Sequence, residues 1–268
     1  MLLTATSAPA KGLPHRSPGL TRVAYVEPKA AEFRSIYDAA KGKRVLERLA
    51  TPLSHLRLRR PLTLKLDQCG DVNSWYDPQD RSVTVCYEYL KNILDRAPSD
   101  RTPAGVTRHE ALEGPLAQVL LHESGHAVFD LLSVPIFGRE EDAADQFAAY
   151  VMLLLEPDEA RQLIDGSAFF LASWAKDEKP SKDDFSDEHG LWSQRFYNLV
   201  CLAYGSDEKA FGYLVERGYL PRDRAEGCGA EYDQVAYAVR RLIAPHLMAR
   251  TGRPRSHKRR RPAVTPTP

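Results

Sequence analysis

The 268-residue chain lacks any long apolar run. Its longest, such as Val151–Leu155, fall far short of the roughly 18–20 residues a membrane-spanning helix needs, so no membrane span is expected. Net charge is nearly absent as well. With 37 Lys+Arg against 36 Asp+Glu the sum is +1, which argues against a dedicated nucleic-acid binder, although a sum hides its distribution. There are only four cysteines, and none stands in a C-x-x-C pair, which argues against a cysteine zinc cluster. No internal repeat is present. The N-terminus has neither a basic n-region nor a long apolar core. Ala8-Pro9-Ala10 therefore reads either as part of a low-complexity tail or as the end of a signal peptide that begins upstream.

What is present is ordinary globular composition, 43% hydrophobic and 27% charged, which excludes a mostly disordered or fibrous chain. The charge is unevenly spread. Seven basic residues, from Arg250 to Arg261, lie in a terminal stretch with no acid after Asp233, leaving 30 basic against 36 acidic residues before it. The expected organisation is a disordered segment over 1–20, one domain over 21–249 and a basic disordered tail over 250–268. Cys69 and Cys86 flank one turn-rich segment, and Cys201 and Cys228 flank another. Two local disulfides are expected, Cys69–Cys86 and Cys201–Cys228, and with them a periplasmic or secreted location. The alternative is four buried thiols in a cytosolic protein.

Pro61–Leu66 alternates as a half-buried strand does. Asp77-Pro-Gln-Asp signals a turn, and Ser82–Glu88 reads as the returning strand. Helical spacing follows over 89–96, then a loop over 98–107. A strong helix is expected from about Pro115, a residue suited to the first helical position, to Leu132. Another runs from Glu140 to about Leu155, and more follow near 158–174, 188–204, 207–216 and 230–249. The fold class is α+β: a small N-terminal hairpin or sheet on a mostly helical body.

The residues that carry chemistry are His122-Glu-Ser-Gly-His126. On a helix, positions i and i+4 share a face, so both imidazoles can reach one metal ion. Glu123 is rotated about 100° away, off the metal but within reach of a water beside it, the general-base position of H-E-x-x-H hydrolases. A catalytic zinc site needs a third protein ligand. Glu141-Asp-Ala-Ala-Asp145 on the next helix supplies it: Glu141 completes the ligand set, and Asp145, one turn on, can accept an imidazole N–H and fix the tautomer. Glu140 competes for the ligand role. Ala143 and Ala144 would let the two helices approach closely. The plainer reading is an acidic first turn that favours the helix dipole. Tyr150, Tyr197 and Tyr204 are expected in the core, and His15, His55, His109, His246 and His257 carry no partner pattern.

With those residues the chain resembles the gluzincin metallopeptidases, the thermolysin and neprilysin group. Asn73-Ser-Trp-Tyr-Asp-Pro78 is similar to the Asn-Ala-x-Tyr-x-Pro motif on the substrate-binding edge strand of neprilysin-like enzymes. The resemblance implies that Asn73 and the backbone of Ser74 hold a peptide substrate. Asp187-Glu-His189 with Arg195 resembles their Asp-x-His-x5-Arg motif. It implies that His189 stabilises the oxyanion, Asp187 orients His189, and Arg195 holds a substrate carbonyl. The chain from about 22 to 247 also resembles a bacterial family of metallopeptidases, domain of unknown function 4344. The shared segments are Cys69–Asn73, Cys86-Tyr87-Glu88 and Arg195–Asn198. The interval from His126 to Glu141 is shorter than in most gluzincins, which implies a compact helix–turn–helix.

The activity expected is zinc-dependent hydrolysis of peptide bonds at one Zn2+ ion, with a peptide or protein as partner and no specific nucleic acid. The alternatives are a zinc-containing, non-proteolytic peptide or cell-wall binding protein using the same cleft, or another zinc amide hydrolase. An intact Glu123 favours the enzyme.

Overall fold

A computed structural model describes residues 21–248; the expectations for 1–20 and for the basic tail lie outside the described residues. Four strands form one mixed sheet: β1 (Thr21–Tyr25), β2 (Leu62–Asp67), β3 (Ser74–Asp77) and β4 (Ser82–Cys86), in the order β1-β2-β4-β3. Eleven α-helices accompany them among the described residues. Two, α1 (Arg34–Gly42) and α2 (Val45–Ser54), link β1 to β2, and α3 (Tyr87–Arg96) leaves β4 directly. Then come α4 (Arg108–Leu132), α5 (Glu140–Leu153), α6 (Pro157–Ala175), the short α7 (Lys182–Ser186) and α8 (Trp192–Ser206). The chain closes with α9 (Tyr213–Glu216), α10 (Arg222–Ala225) and α11 (Cys228–Leu242). The protein is α+β, with the sheet at its N-terminal end.

The β2 alternation puts Leu62, Leu64 and Leu66 wholly inside. The returning strand does return, but from β3: β4 runs antiparallel to β3 through the Asp77-Pro-Gln-Asp turn and parallel to β2. Parallel pairing needs a crossover, and here β3 is part of it. That placement leaves β3 at the sheet edge, paired on one side only.

Helix α4 starts seven residues before Pro115, so Pro115 lies inside the helix and not at its first position. The cause is a capping box: Thr107 Oγ accepts from the Glu110 amide at 3.2 Å, and the Glu110 carboxylate accepts from the Thr107 amide at 2.6 Å. The helix is buried nearly all round. Leu120 and Val128 join the cluster under the sheet, while Ala117 and Leu121 join a second cluster with Ile164, Leu199 and Leu214. Against α5 the backbones meet closely. A Cβ at Gly125 would lie 3.3 Å from the Ala144 Cα, so a small residue is needed on each side, Ala144 being one of the two alanines expected to permit this. Both disulfides form, Cys69–Cys86 across 17 residues and Cys201–Cys228 across 27. Tyr150 is buried, but Tyr197 is 40% exposed on α8 and not in the core.

Candidate active site

The turn between α4 and α5 brings two i, i+4 pairs face to face. His122 is buried, with its side chain 5% exposed. Its Nε2 lies 3.0 Å from Glu141 Oε2 and 3.3 Å from His126 Nε2. His126 Nε2 lies 3.4 Å from Glu141 Oε1. The opposite nitrogen of each ring is also engaged: His122 Nδ1 meets Asp145 Oδ1 at 2.9 Å, and His126 Nδ1 meets Glu140 Oε1 at 2.8 Å. The two competing acids thus divide the work, Glu141 facing both Nε2 atoms and Glu140 the far side of His126.

Asp145 is shared. Arg195, from α8, donates through Nε and Nη2 to its two oxygens at 2.7 and 2.8 Å, so the guanidinium expected to hold substrate is committed on two of its nitrogens. Nη1 makes no hydrogen bond among the described residues. Burial opposes charge on both partners, but the Arg195 guanidinium and the His122 ring keep the Asp145 carboxyl below the usual carboxylate range. Burial likewise pushes the His122 imidazole down, yet hydrogen bonds to Asp145 and Glu141 outweigh it and raise its pKa to about 9. Burial raises the Glu141 carboxyl, and three imidazoles more than reverse that, holding it well below its ordinary value.

His189 reaches the same acid from the α7–α8 segment. Its Nε2 lies 3.0 Å from Glu141 Oε2, and Asp187 holds its Nδ1 at 2.9 Å. Single ligand atoms of His122, Glu141 and His189 all fall within 4.8 Å of one another, a triad that overlaps the His122, His126 and Glu141 one.

Glu123 points elsewhere, toward the edge strand, where Ser74 Oγ donates to its Oε1 at 2.8 Å. Asn73 turns its side-chain oxygen onto the Ser74 amide at 2.8 Å. Both residues line the cleft with His122, Glu123 and His189. The strand is pinned to the α4 helix by Tyr76, whose hydroxyl donates to Asp130 at 2.7 Å. Sequence reasoning missed three features: the Ser74 hydroxyl as partner of Glu123, Glu140 as partner of His126, and an aromatic cavity beside the site. The i−4 step from His122 to Gln118 was the available pointer to the cavity.

A helix carrying His-Glu-x-x-His opposite a helix whose acid faces both imidazoles is the arrangement of a metal-dependent hydrolase. Residues 25–243 match a family model whose description reads "Putative metallopeptidase", domain of unknown function 4344, and the chain belongs to that family. No curated protein and no solved structure matches the chain. No helix among the described residues is long and apolar enough to cross a membrane.

Proposed function

We propose that the protein is a zinc-dependent peptidase of gluzincin type, with His122, His126 and Glu141 as ligands of one zinc ion and Glu123 as general base. One observation carries the reading. Zinc bonds of about 2.0–2.1 Å in a tetrahedron put neighbouring ligand atoms roughly 3.3–3.4 Å apart. The two Nε2 atoms stand 3.3 Å apart, and Glu141 turns one carboxylate oxygen to each of them, Oε2 at 3.0 Å from His122 and Oε1 at 3.4 Å from His126. Two imidazoles and a carboxylate, each steadied from behind by a further carboxylate or a neighbouring side chain, form a donor set that suits zinc.

A bound zinc ion supplies Lewis acidity for the scissile carbonyl and for water at the site. The rest falls to the chain. Glu123 accepts a proton from the attacking water and passes it to the leaving amine nitrogen, while the Ser74 hydroxyl keeps its carboxylate turned into the cleft. His189, held by Asp187 through Nδ1, would turn its Nε2 from Glu141 to the oxygen on which negative charge develops. Arg195 offers Nη1 to a substrate carbonyl while Asp145 holds its other nitrogens. The free edge of β3, at Asn73 and Ser74, aligns an extended peptide by main-chain hydrogen bonds. Two disulfides are compatible with an extracytoplasmic location, and we infer a periplasmic or secreted protein.

The test is metal content together with cleavage of a peptide library. One zinc per chain is expected, with cleavage abolished by chelator and restored by zinc. Cleavage that ignores chelator, or a purified protein without stoichiometric metal, sinks the reading.

A further inference from the structure

Resting on the peptidase reading, we propose that Gln118 reads the substrate side chain on the Arg195 side of the scissile bond, and that the cavity there selects tyrosine over phenylalanine. The cavity, about 520 Å³, opens beside His122, Glu123 and Arg195. One wall is a run of aromatic contacts. Tyr89 meets Phe170 at 5.9 Å between ring centroids, Phe170 meets Trp174 edge-on at 6.5 Å, and Trp174 stacks on Trp192 at 5.1 Å. Such a surface takes an aromatic ring, because ring–ring contacts add to the apolar area removed from water.

The cavity is not wholly apolar. Gln118 stands one turn before His122 on the same face of α4, only 6% exposed, and lines the cavity. Its carboxamide makes no hydrogen bond among the described residues. Trp174 Nε1 is also buried without a partner. Two of the charged groups that line the cavity, Arg96 and Glu178, are committed elsewhere. Arg96 donates to Asn92 and Ser173 and lies over the Trp174 ring at 4.0 Å. Glu178 accepts from the Trp192 and Ser193 amides and the Ser193 hydroxyl. Gln118 is therefore a largely buried side chain whose carboxamide pairs with no group among the described residues and opens onto the cavity. A ligand that fills the cavity and cuts this carboxamide off from water has to supply its hydrogen-bond partner, because leaving it unpaired there is costly. A phenol does so, since its hydroxyl both donates and accepts.

The experiment compares peptides identical but for Tyr, Phe or Ala immediately after the scissile bond, with the zinc-loaded wild type and Gln118→Met, which keeps side-chain length and loses both hydrogen-bonding groups. Wild type should cleave the Tyr peptide with a kcat/KM about tenfold above Phe, the worth of one buried hydrogen bond, and Phe above Ala. In Gln118→Met the Tyr/Phe ratio should fall to within about twofold. A wild-type ratio near one overturns the proposal even if the variant does not fold, and so does a folded variant that keeps the tenfold preference. Binding of the same peptides to Glu123→Gln, followed by the fluorescence of Trp174 and Trp192, separates the two layers. If no peptide is cleaved by wild type but the Tyr peptide binds about tenfold tighter than Phe, the recognition stands and the peptidase reading falls. If peptides are cleaved or bound without Tyr preference, the recognition falls, and the peptidase reading is decided by the cleavage alone.

Discussion

The two sides of the cleft are built differently. On the α4–α5 side the polar atoms of His122, His126 and Asp145 meet partners on both sides, through Glu140, Glu141 and Arg195. On the β3 and aromatic side the strand edge is unpaired, Trp174 Nε1 is buried without a partner among the described residues, and Gln118 opens onto the cavity. The first is what a preorganised centre requires, since donors that cannot wander hold an ion at fixed distances. The second is what recognition requires, since groups satisfied internally have nothing to offer a ligand. Glu123 joins the two, on α4 with the two histidines by sequence and on the strand by its hydrogen bond to Ser74.

The largest expected effect breaks that junction. Glu123→Gln removes the proposed base and leaves the proposed ligand atoms alone. The zinc content should stay at one per chain while kcat/KM falls on the order of 10³-fold. Elemental analysis and peptide kinetics on the same sample check both halves. Wild-type turnover in this variant would show that the assigned base is wrong, and loss of metal would show that the two sides of the cleft are not separable.

Asp145→Asn attacks the saturated side. The amide cannot accept from His122 and take the Arg195 fork as a carboxylate does, and it leaves a buried guanidinium unpaired. Zinc affinity should fall about 10- to 100-fold. The loss of folding stability should be roughly 3–5 kcal/mol, the range for breaking a buried ion pair by removing one partner. Chelator competition and urea melts measure these separately. A fall in stability with unchanged zinc affinity would reduce Asp145 to a structural pair for Arg195.

Much of the saturated side was legible in the sequence, because helical periodicity is local. Two i, i+4 pairs on consecutive helices joined by a short link can hardly avoid facing each other, and Asp145 at His122 Nδ1 follows from that geometry. On the other side, only resemblance singled out Asn73, His189 and Arg195. Its chemistry depends on contacts between residues far apart in the chain, such as Ser74 with Glu123 or Tyr89 with Phe170, and no period announces these. In the fold, the β2 alternation was readable and the sheet order was not. The polar segment carrying β3 gave no strand period, so β4 lacked its true antiparallel partner. The first two turns of α4 were missed because Pro115 reads as a start signal, while the stronger Thr107/Glu110 box opens eight residues earlier.

A third effect follows from titration. With chelated metal, the folded-state pKa of His122 stands at about 9, above its ordinary 6.5. A raised pKa stabilises fully below the unfolded value and is lost as pH rises through the folded one. The chelated protein should therefore lose thermal stability between about pH 6.5 and 9. With zinc the loss should shrink, since neutral imidazole is the form that binds metal. Melting curves across that window, with and without zinc, make the check. Equal slopes would mean that the saturated side does not hold the ion.

The smallest effect tests the link itself. Ser74→Ala removes one hydroxyl hydrogen bond to the Glu123 carboxylate and leaves the strand backbone in place. Hydrogen bonds to charged groups are worth roughly 1.5–3 kcal/mol, but the cleft lets water take part of the role, so a fall in kcat of about tenfold is expected. KM should stay within about twofold, because the substrate would still meet the same β3 edge, and zinc content should not change. Ser74→Thr, which keeps the hydroxyl, should recover most of the loss. If Ala and Thr behave alike, or if KM moves while kcat does not, the Ser74 hydroxyl serves the strand and not the base. The two sides of the cleft would then meet only through the substrate.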